Sequence, residues 1–197
     1  GGPILAEQAA PPESLKLVER PVPTPGPGQA LIKVAYSALN PLDTHARADR
    51  IKWSHPGFPF VPGYEYCGRV EAVGEGVDPA LVGKRVASAG EWGGNADYAV
   101  ATAARLVHIP DAFNWLVGAT FSTCAPTSWH LIHSAGRVQA GDWVLLHSAA
   151  GAVGGAIVGH ELQQRANERR AATAQYRVRV RFSNGGERVY LLDDVGN

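Results

Sequence analysis

The chain has 197 residues, and its 18 lysines and arginines are balanced by 18 aspartates and glutamates, a formal net charge of zero that argues against a nucleic-acid or anionic-membrane partner. With 45% hydrophobic and 18% charged residues it has the composition of a globular protein with a core, not of a disordered chain. Cys67 and Cys124 are too few for a disulfide framework, which points to a reducing, cytoplasmic setting, and no uninterrupted apolar run of about 18 residues is present to span a bilayer.

The chain opens Gly1-Gly2-Pro3 and contains no methionine, which reads as a trimmed start. Leu15 to Glu19 leads into Pro21, Pro23, Pro25 and Pro27, an extended, turn-rich stretch. Ala30 to Ala35 alternates as a strand, with Leu31 and Lys33 opposite Ile32 and Val34. The strand breaks at Asn40-Pro41, and a helical turn is expected over the rest of SALNPLDTHAR. Tyr66 to Val73 reads as a strand closed by Gly74-Glu75-Gly76. Lys84 to Ser88, Ala96 to Val100 and Arg105 to Ile109 read as further strands, Glu91 to Asn95 being a loop. Short strands punctuated by Gly and Pro predict a small antiparallel barrel up to about residue 110. Asn114 to Gly136 is expected to be largely helical, interrupted around Pro126.

Trp143 to Ser148 is a short apolar run entered from Gly141-Asp142, the pattern of a buried strand. Ala149, Gly151 and Gly154 follow as a G-x-G-x-x-G pattern with alanine in first place. Small residues there let the backbone approach a pyrophosphate, and free amides at a helix start supply partial positive charge. Gly151, Gly155 and Gly159 also form a small-xxx-small stripe suited to close helix packing. A polar helix is expected next. From Tyr176 to Phe182 apolar residues then alternate with Arg177, Arg179 and Arg181, and the turn Ser183-Asn184-Gly185-Gly186 leads to a returning strand, Glu187 to Leu192. This is a hairpin pattern, so no second parallel strand is expected beside 143–148, and that strand keeps an open edge.

VPGYEYCGRVEAVGEGV, GKRVASAGEWGGNADYAV and VQAGDWVLLHSAAGAVG resemble successive signatures of the medium-chain dehydrogenase/reductase superfamily, in its zinc-free quinone oxidoreductase branch, over roughly residues 15–158. The resemblance implies a GroES-like barrel (1–125) and an incomplete Rossmann opening of strand, turn and helix (126–158); with the tail of polar helix and β-hairpin read from the residues (159–197), the expected fold is mainly β with an α/β part. It implies hydride transfer from NADPH to a small-molecule quinone or enone. Asn40 and Tyr64 stand where zinc-dependent members place cysteine and histidine, so no metal is expected. By the same resemblance Asn40, His45 and Tyr64 line the substrate pocket, His45 being placed to protonate or polarise the acceptor oxygen. Thr127 contacts the nicotinamide side, and Ala149, Ala150, Gly151, Ala152, Val153 and Gly154 cradle the phosphates.

Plainer roles exist for the same residues. Asn40 before proline is a turn former, His45 a loop histidine and Glu65 a hydrogen-bonding brace for the barrel. His130 and His133 share a spacing without a third ligand. Residues 151–197 also resemble the C-terminal part of glycine-zipper surface-antigen lipoproteins of bacterial outer membranes. The signal and the lipid-carrying cysteine of those proteins are lacking, so a membrane role is not expected. Two readings result: a reductase of impaired activity, truncated or fused within AAGAVGG, or a non-catalytic, self-associating module that binds no cofactor.

Overall fold

The computed structural model describes residues 2–88, 90–139, 141–147, 176–181 and 187–192. They fall into two compact units, Gly1–Thr123 and Cys124–Asn197.

The first unit is built on a five-stranded antiparallel sheet of β3 (Gln29–Ala38), β4 (Glu65–Val73), β5 (Arg85–Ala87), β6 (Tyr98–Thr102) and β7 (Val107–His108), in the order β6-β3-β4-β5-β7. β1 (Ile4–Leu5) and β2 (Lys16–Leu17) form a separate small ladder, and α1 (Pro41–Arg47) and α2 (Trp115–Ala119) complete the unit. The short, Gly- and Pro-punctuated runs thus fold as the antiparallel, mainly β assembly their spacing predicts. β3 departs from strict alternation, because Ala30, Leu31 and Ile32 are all buried. It is a central strand paired on both edges, by β4 and by β6, and its register against β4 slips between Leu31 and Ile32 and again between Val34 and Tyr36. Such irregularities bend a strand and re-aim its side chains.

Ala30, Ile32, Tyr66, Val70, Val86, Ala99 and Ala101 form one core cluster. Burying a side chain the size of Ile32 contributes about 1.5–3 kcal/mol. A second cluster, Cys67, Ala87, Ile109 and Ala119, seats α2, and a third, Ala6, Ala46 and Phe60, seats α1. The expected helical stretch 114–136 is interrupted earlier than Pro126, since α2 ends at Ala119 and α3 spans Cys124–Trp129. Pro126 lies in the first turn of α3, where a backbone N–H has no intrahelical acceptor, so proline costs nothing there.

In the second unit α3 runs on into a π-helical turn, His130–Ala135. β8 (Leu145–His147), β9 (Tyr176–Arg181) and β10 (Glu187–Leu192) form a sheet in the order β10-β9-β8. The hairpin of β9 and β10 is present in antiparallel register from Glu187↔Arg181 to Leu192↔Tyr176. The expectation that β8 lacks a parallel neighbour is corrected: β9 runs parallel to it, with Leu145↔Arg179, Leu146↔Val180 and His147↔Arg181. A strand has two edges, so a hairpin on one leaves the other free, and the intervening chain exceeds the dozen or so residues a parallel crossover needs. No helix among the described residues is long and apolar enough to cross a membrane.

Candidate functional site

The chemistry-bearing residues of the first unit gather where β3 gives way to α1 and where β4 begins. Asn40 is the N-cap of α1, with extended dihedrals (φ −112°, ψ 153°), and Pro41 follows it in the first helical turn. The Asn40 N–H donates to Asp43 Oδ2 at 2.9 Å, and the Asp43 N–H returns to the Asn40 carbonyl at 3.0 Å. Asp43 is 7% exposed, and its Oδ1 accepts from the Gly63 N–H at 2.8 Å and the Tyr64 N–H at 3.1 Å. One carboxylate therefore fastens the start of α1 to the loop that carries Tyr64. Gly63 permits this approach: its φ is +96°, and a Cβ would lie 2.4 Å from the Asn95 nitrogen.

Glu65, the first residue of β4, has no exposed surface. Its Oε2 accepts from Asn40 Nδ2 at 3.0 Å and its Oε1 from the Thr123 N–H at 2.7 Å. The bracing role read for Glu65 is thus present, and its partners are Asn40 and the Thr123 backbone. The Ser37 hydroxyl donates to Asn95 Oδ1 at 2.8 Å, tying β3 to the loop beside Gly63. Tyr64 is half-buried, its ring edge-on to Trp92 at 4.9 Å; Trp92 meets Phe60 at 5.4 Å and donates from Nε1 to the Ser54 carbonyl at 2.7 Å.

Asn40 and Tyr64 are thus joined through Asp43, and Asn40 is joined to Glu65. His45 is exposed on α1 and its ring makes no hydrogen bond among the described residues. Thr127 is exposed on α3, in the second unit. Ala149, Ala150, Gly151, Ala152, Val153 and Gly154 lie outside the described residues. Sequence reasoning missed Asp43, although Asn40-Pro41-Leu42-Asp43 carries the spacing of an N-cap with an acid three residues on. It also missed Gly63 and Trp92, for which no local pattern existed.

Cys67 is buried, with Sγ donating to the Trp115 carbonyl at 3.1 Å, and burial pushes its thiol up to about 11. It is an inert core group at neutral pH. His130 Nδ1 lies 3.1 Å from Ser134 Oγ, and among the described residues no three His, Cys, Asp or Glu side chains cluster to hold a metal. A groove of about 300 Å³ lies between β6 and the proline-rich lead-in, lined by Arg20, Val22, Val61 and Tyr98 among others. It includes none of Asn40, His45 or Tyr64, so it is not the site their chemistry marks.

Residues 26–111 match the alcohol dehydrogenase GroES-like domain. A quinone oxidoreductase of Lama guanicoe is 38% identical over 146 residues, which cover 73% of this chain and 44% of that protein. A probable quinone oxidoreductase of Schizosaccharomyces pombe is 28% identical over 195 residues, 98% of this chain and 58% of that one. Among solved structures, a mycobacterial protein complexed with NADPH superposes with a TM-score of 0.76 at 33% identity, covering 92% of this chain and 52% of that chain. The chain therefore spans about half the length of the relatives it matches. On these matches and the antiparallel architecture that carries them, the chain belongs to the medium-chain dehydrogenase/reductase superfamily, is quinone oxidoreductase-like within it, and has a GroES-like N-terminal domain.

Proposed function

We propose that this chain carries the substrate-side machinery of a zinc-free, NADPH-dependent quinone or enone reductase. The observation that carries the reading is the pinned Asn40: its backbone N–H is held by Asp43, its side-chain amide by Glu65, and Tyr64 is fixed through the same Asp43. A hydride acceptor develops negative charge on its oxygen as it is reduced, and donors already held in place stabilise that charge without reorganising. Asn40 and Tyr64 are the donors we assign to that oxygen. The exposed His45 is the group from which a proton would be delivered.

For residues 145–192 we infer the opening of a nucleotide-binding domain. Two neighbouring parallel strands set their C-terminal ends side by side, the place where open α/β sheets hold dinucleotides, and β8 leads directly into the small-residue run Ala149–Gly154. That pairing favours this reading of β9 over its likeness to the lipoprotein tail. When bound, the nicotinamide supplies the hydride. Thr127 would hold its nicotinamide side, and Ala149 to Gly154 its phosphates.

Titration of the purified chain with NADPH, followed by nicotinamide fluorescence, tests the cofactor half. NADPH oxidation that depends on added quinone and falls in Asn40→Ala tests the substrate half. Saturation in the micromolar range together with that loss is the expected result. Silence up to millimolar NADPH, or turnover indifferent to Asn40, overturns the corresponding half.

A further inference from the structure

We propose that Glu65 is a positioning residue that acts through Asn40, dictating which edge of the Asn40 carboxamide meets the acceptor oxygen of a substrate. The proposal rests on the reading of Asn40 as a substrate contact. A carboxamide has a donor edge, NH2, and an acceptor edge, C=O, and half a turn about its last bond exchanges them. Glu65 offers only lone pairs, so Asn40 must turn Nδ2 toward it; the opposite orientation would face oxygen with oxygen. The 3.0 Å contact from Asn40 Nδ2 to Glu65 Oε2 therefore fixes the amide polarity as well as its place: one Nδ2 proton goes to Glu65, the second is the one assigned to the acceptor oxygen, and turning the amide over would set Oδ1 against that oxygen instead.

Glu65 is itself unable to swing away. It is fully buried, its second oxygen accepts from the Thr123 N–H at 2.7 Å, and its backbone pairs with Ala38 at the end of the β3–β4 ladder. Asn40 is held from the other side by the 2.9 Å bond from its N–H to Asp43 Oδ2. Backbone and side chain of the contact residue are thus both anchored to buried carboxylates, and preorganisation of that kind lets a donor act without rearranging.

Glu65→Gln tests the effect, because it keeps the side-chain volume while it removes the charge and replaces one acceptor oxygen by a donor. If the glutamine oxygen stays on the Thr123 N–H, its Nε2 confronts Asn40 Nδ2, donor against donor. The conflict is relieved when Asn40 turns its amide over. A brace that merely ties β4 to residue 123 predicts a loss of stability and nothing specific at Asn40.

Two measurements on the full chain decide between these. In 15N-labelled protein, the two Asn40 side-chain protons, assigned by their loss in Asn40→Ala, should be well separated, one shifted downfield and protected from exchange; in Glu65→Gln that signature should disappear. A pair of protons at free-amide positions in the unsubstituted chain overturns the proposal, whether or not any variant folds. The second measurement is duroquinone affinity, read from tryptophan quenching. Asn40→Ala and Glu65→Gln should each weaken it about tenfold, the worth of one hydrogen bond, and the double variant should be no weaker than Asn40→Ala. Factors that multiply in the double variant overturn the positioning role alone. Affinity unchanged by Asn40→Ala defeats the reading of Asn40 as a substrate contact, and the proposal with it.

Discussion

Replacing Asp43 tests the reasoning about how the site is held. Its two oxygens accept from the backbone N–H groups of Asn40, Gly63 and Tyr64 at 2.9, 2.8 and 3.1 Å, and the residue is 7% exposed. Hydrogen bonds to a charged acceptor contribute about 1.5–3 kcal/mol each, and part of that loss is recovered as water reaches the freed amides, so Asp43→Ala should cost about 3–5 kcal/mol. Asp43→Asn keeps one oxygen able to accept from Gly63 and Tyr64 but presents an N–H to the Asn40 N–H, and should cost about 1–2 kcal/mol. With a urea slope of about 2 kcal/mol/M, the midpoints should fall by about 2 M and about 0.5–1 M. Equilibrium unfolding followed by tryptophan fluorescence and by circular dichroism reads both shifts, and coincidence of the two probes checks that the transition is two-state. An alanine variant within about 0.5 kcal/mol of the unsubstituted chain, or an asparagine variant as unstable as the alanine one, would refute the view that this carboxylate ties α1 to the Tyr64 loop.

Three further outcomes are expected. Burial lifts the Cys67 thiol from 9.0 to about 11 and the Tyr66 phenol from 10.0 to about 12. The unfolded chain therefore loses these protons first, so stability is whole below about pH 9 and falls as pH rises through the folded values, Cys67 alone accounting for about 3 kcal/mol; urea midpoints that stay flat from pH 9 to 11 would contradict this. Gly63→Ala should destabilise by about 2–4 kcal/mol, since it combines a left-handed backbone with a Cβ driven against the Asn95 nitrogen, and thermal unfolding measures it. His45→Gln, on the exposed side of α1, should leave the unfolding free energy within about 0.5 kcal/mol of the original while lowering quinone turnover; a stability loss beyond that would place the ring in the packing instead.

What could be read from the sequence is what depends on neighbours in the chain. β4, β6 and the hairpin of β9 and β10 announce themselves through alternation and turn residues, and α1 through Asn40-Pro41. The single break at Pro126 was misjudged because proline's cost depends on where in a helix it falls, and α3 begins only two residues before it. The parallel pairing of β8 with β9 was missed for a related reason: alternation tells how a strand presents its faces and is silent about which strand lies on each edge. At the site, Asn40 and Tyr64 came from resemblance and Asp43 was available in the capping pattern. The convergence of Glu65 with Asn40 and Thr123, by contrast, joins three distant points of the chain, and only folding brings them within hydrogen-bonding reach.

The parallel ladder has a practical side. β8 is three residues long, and its backbone partner arrives from a segment synthesised well after it. Until β9 docks, β8 offers bare amide and carbonyl groups along its length, which is the template from which strand-to-strand aggregation grows. Shortening the chain from its C-terminus to obtain a tidier N-terminal fragment should therefore cut ahead of β8 and not just behind it. A fragment that retained 145–147 while discarding 176–181 would keep the adhesive and lose its cover.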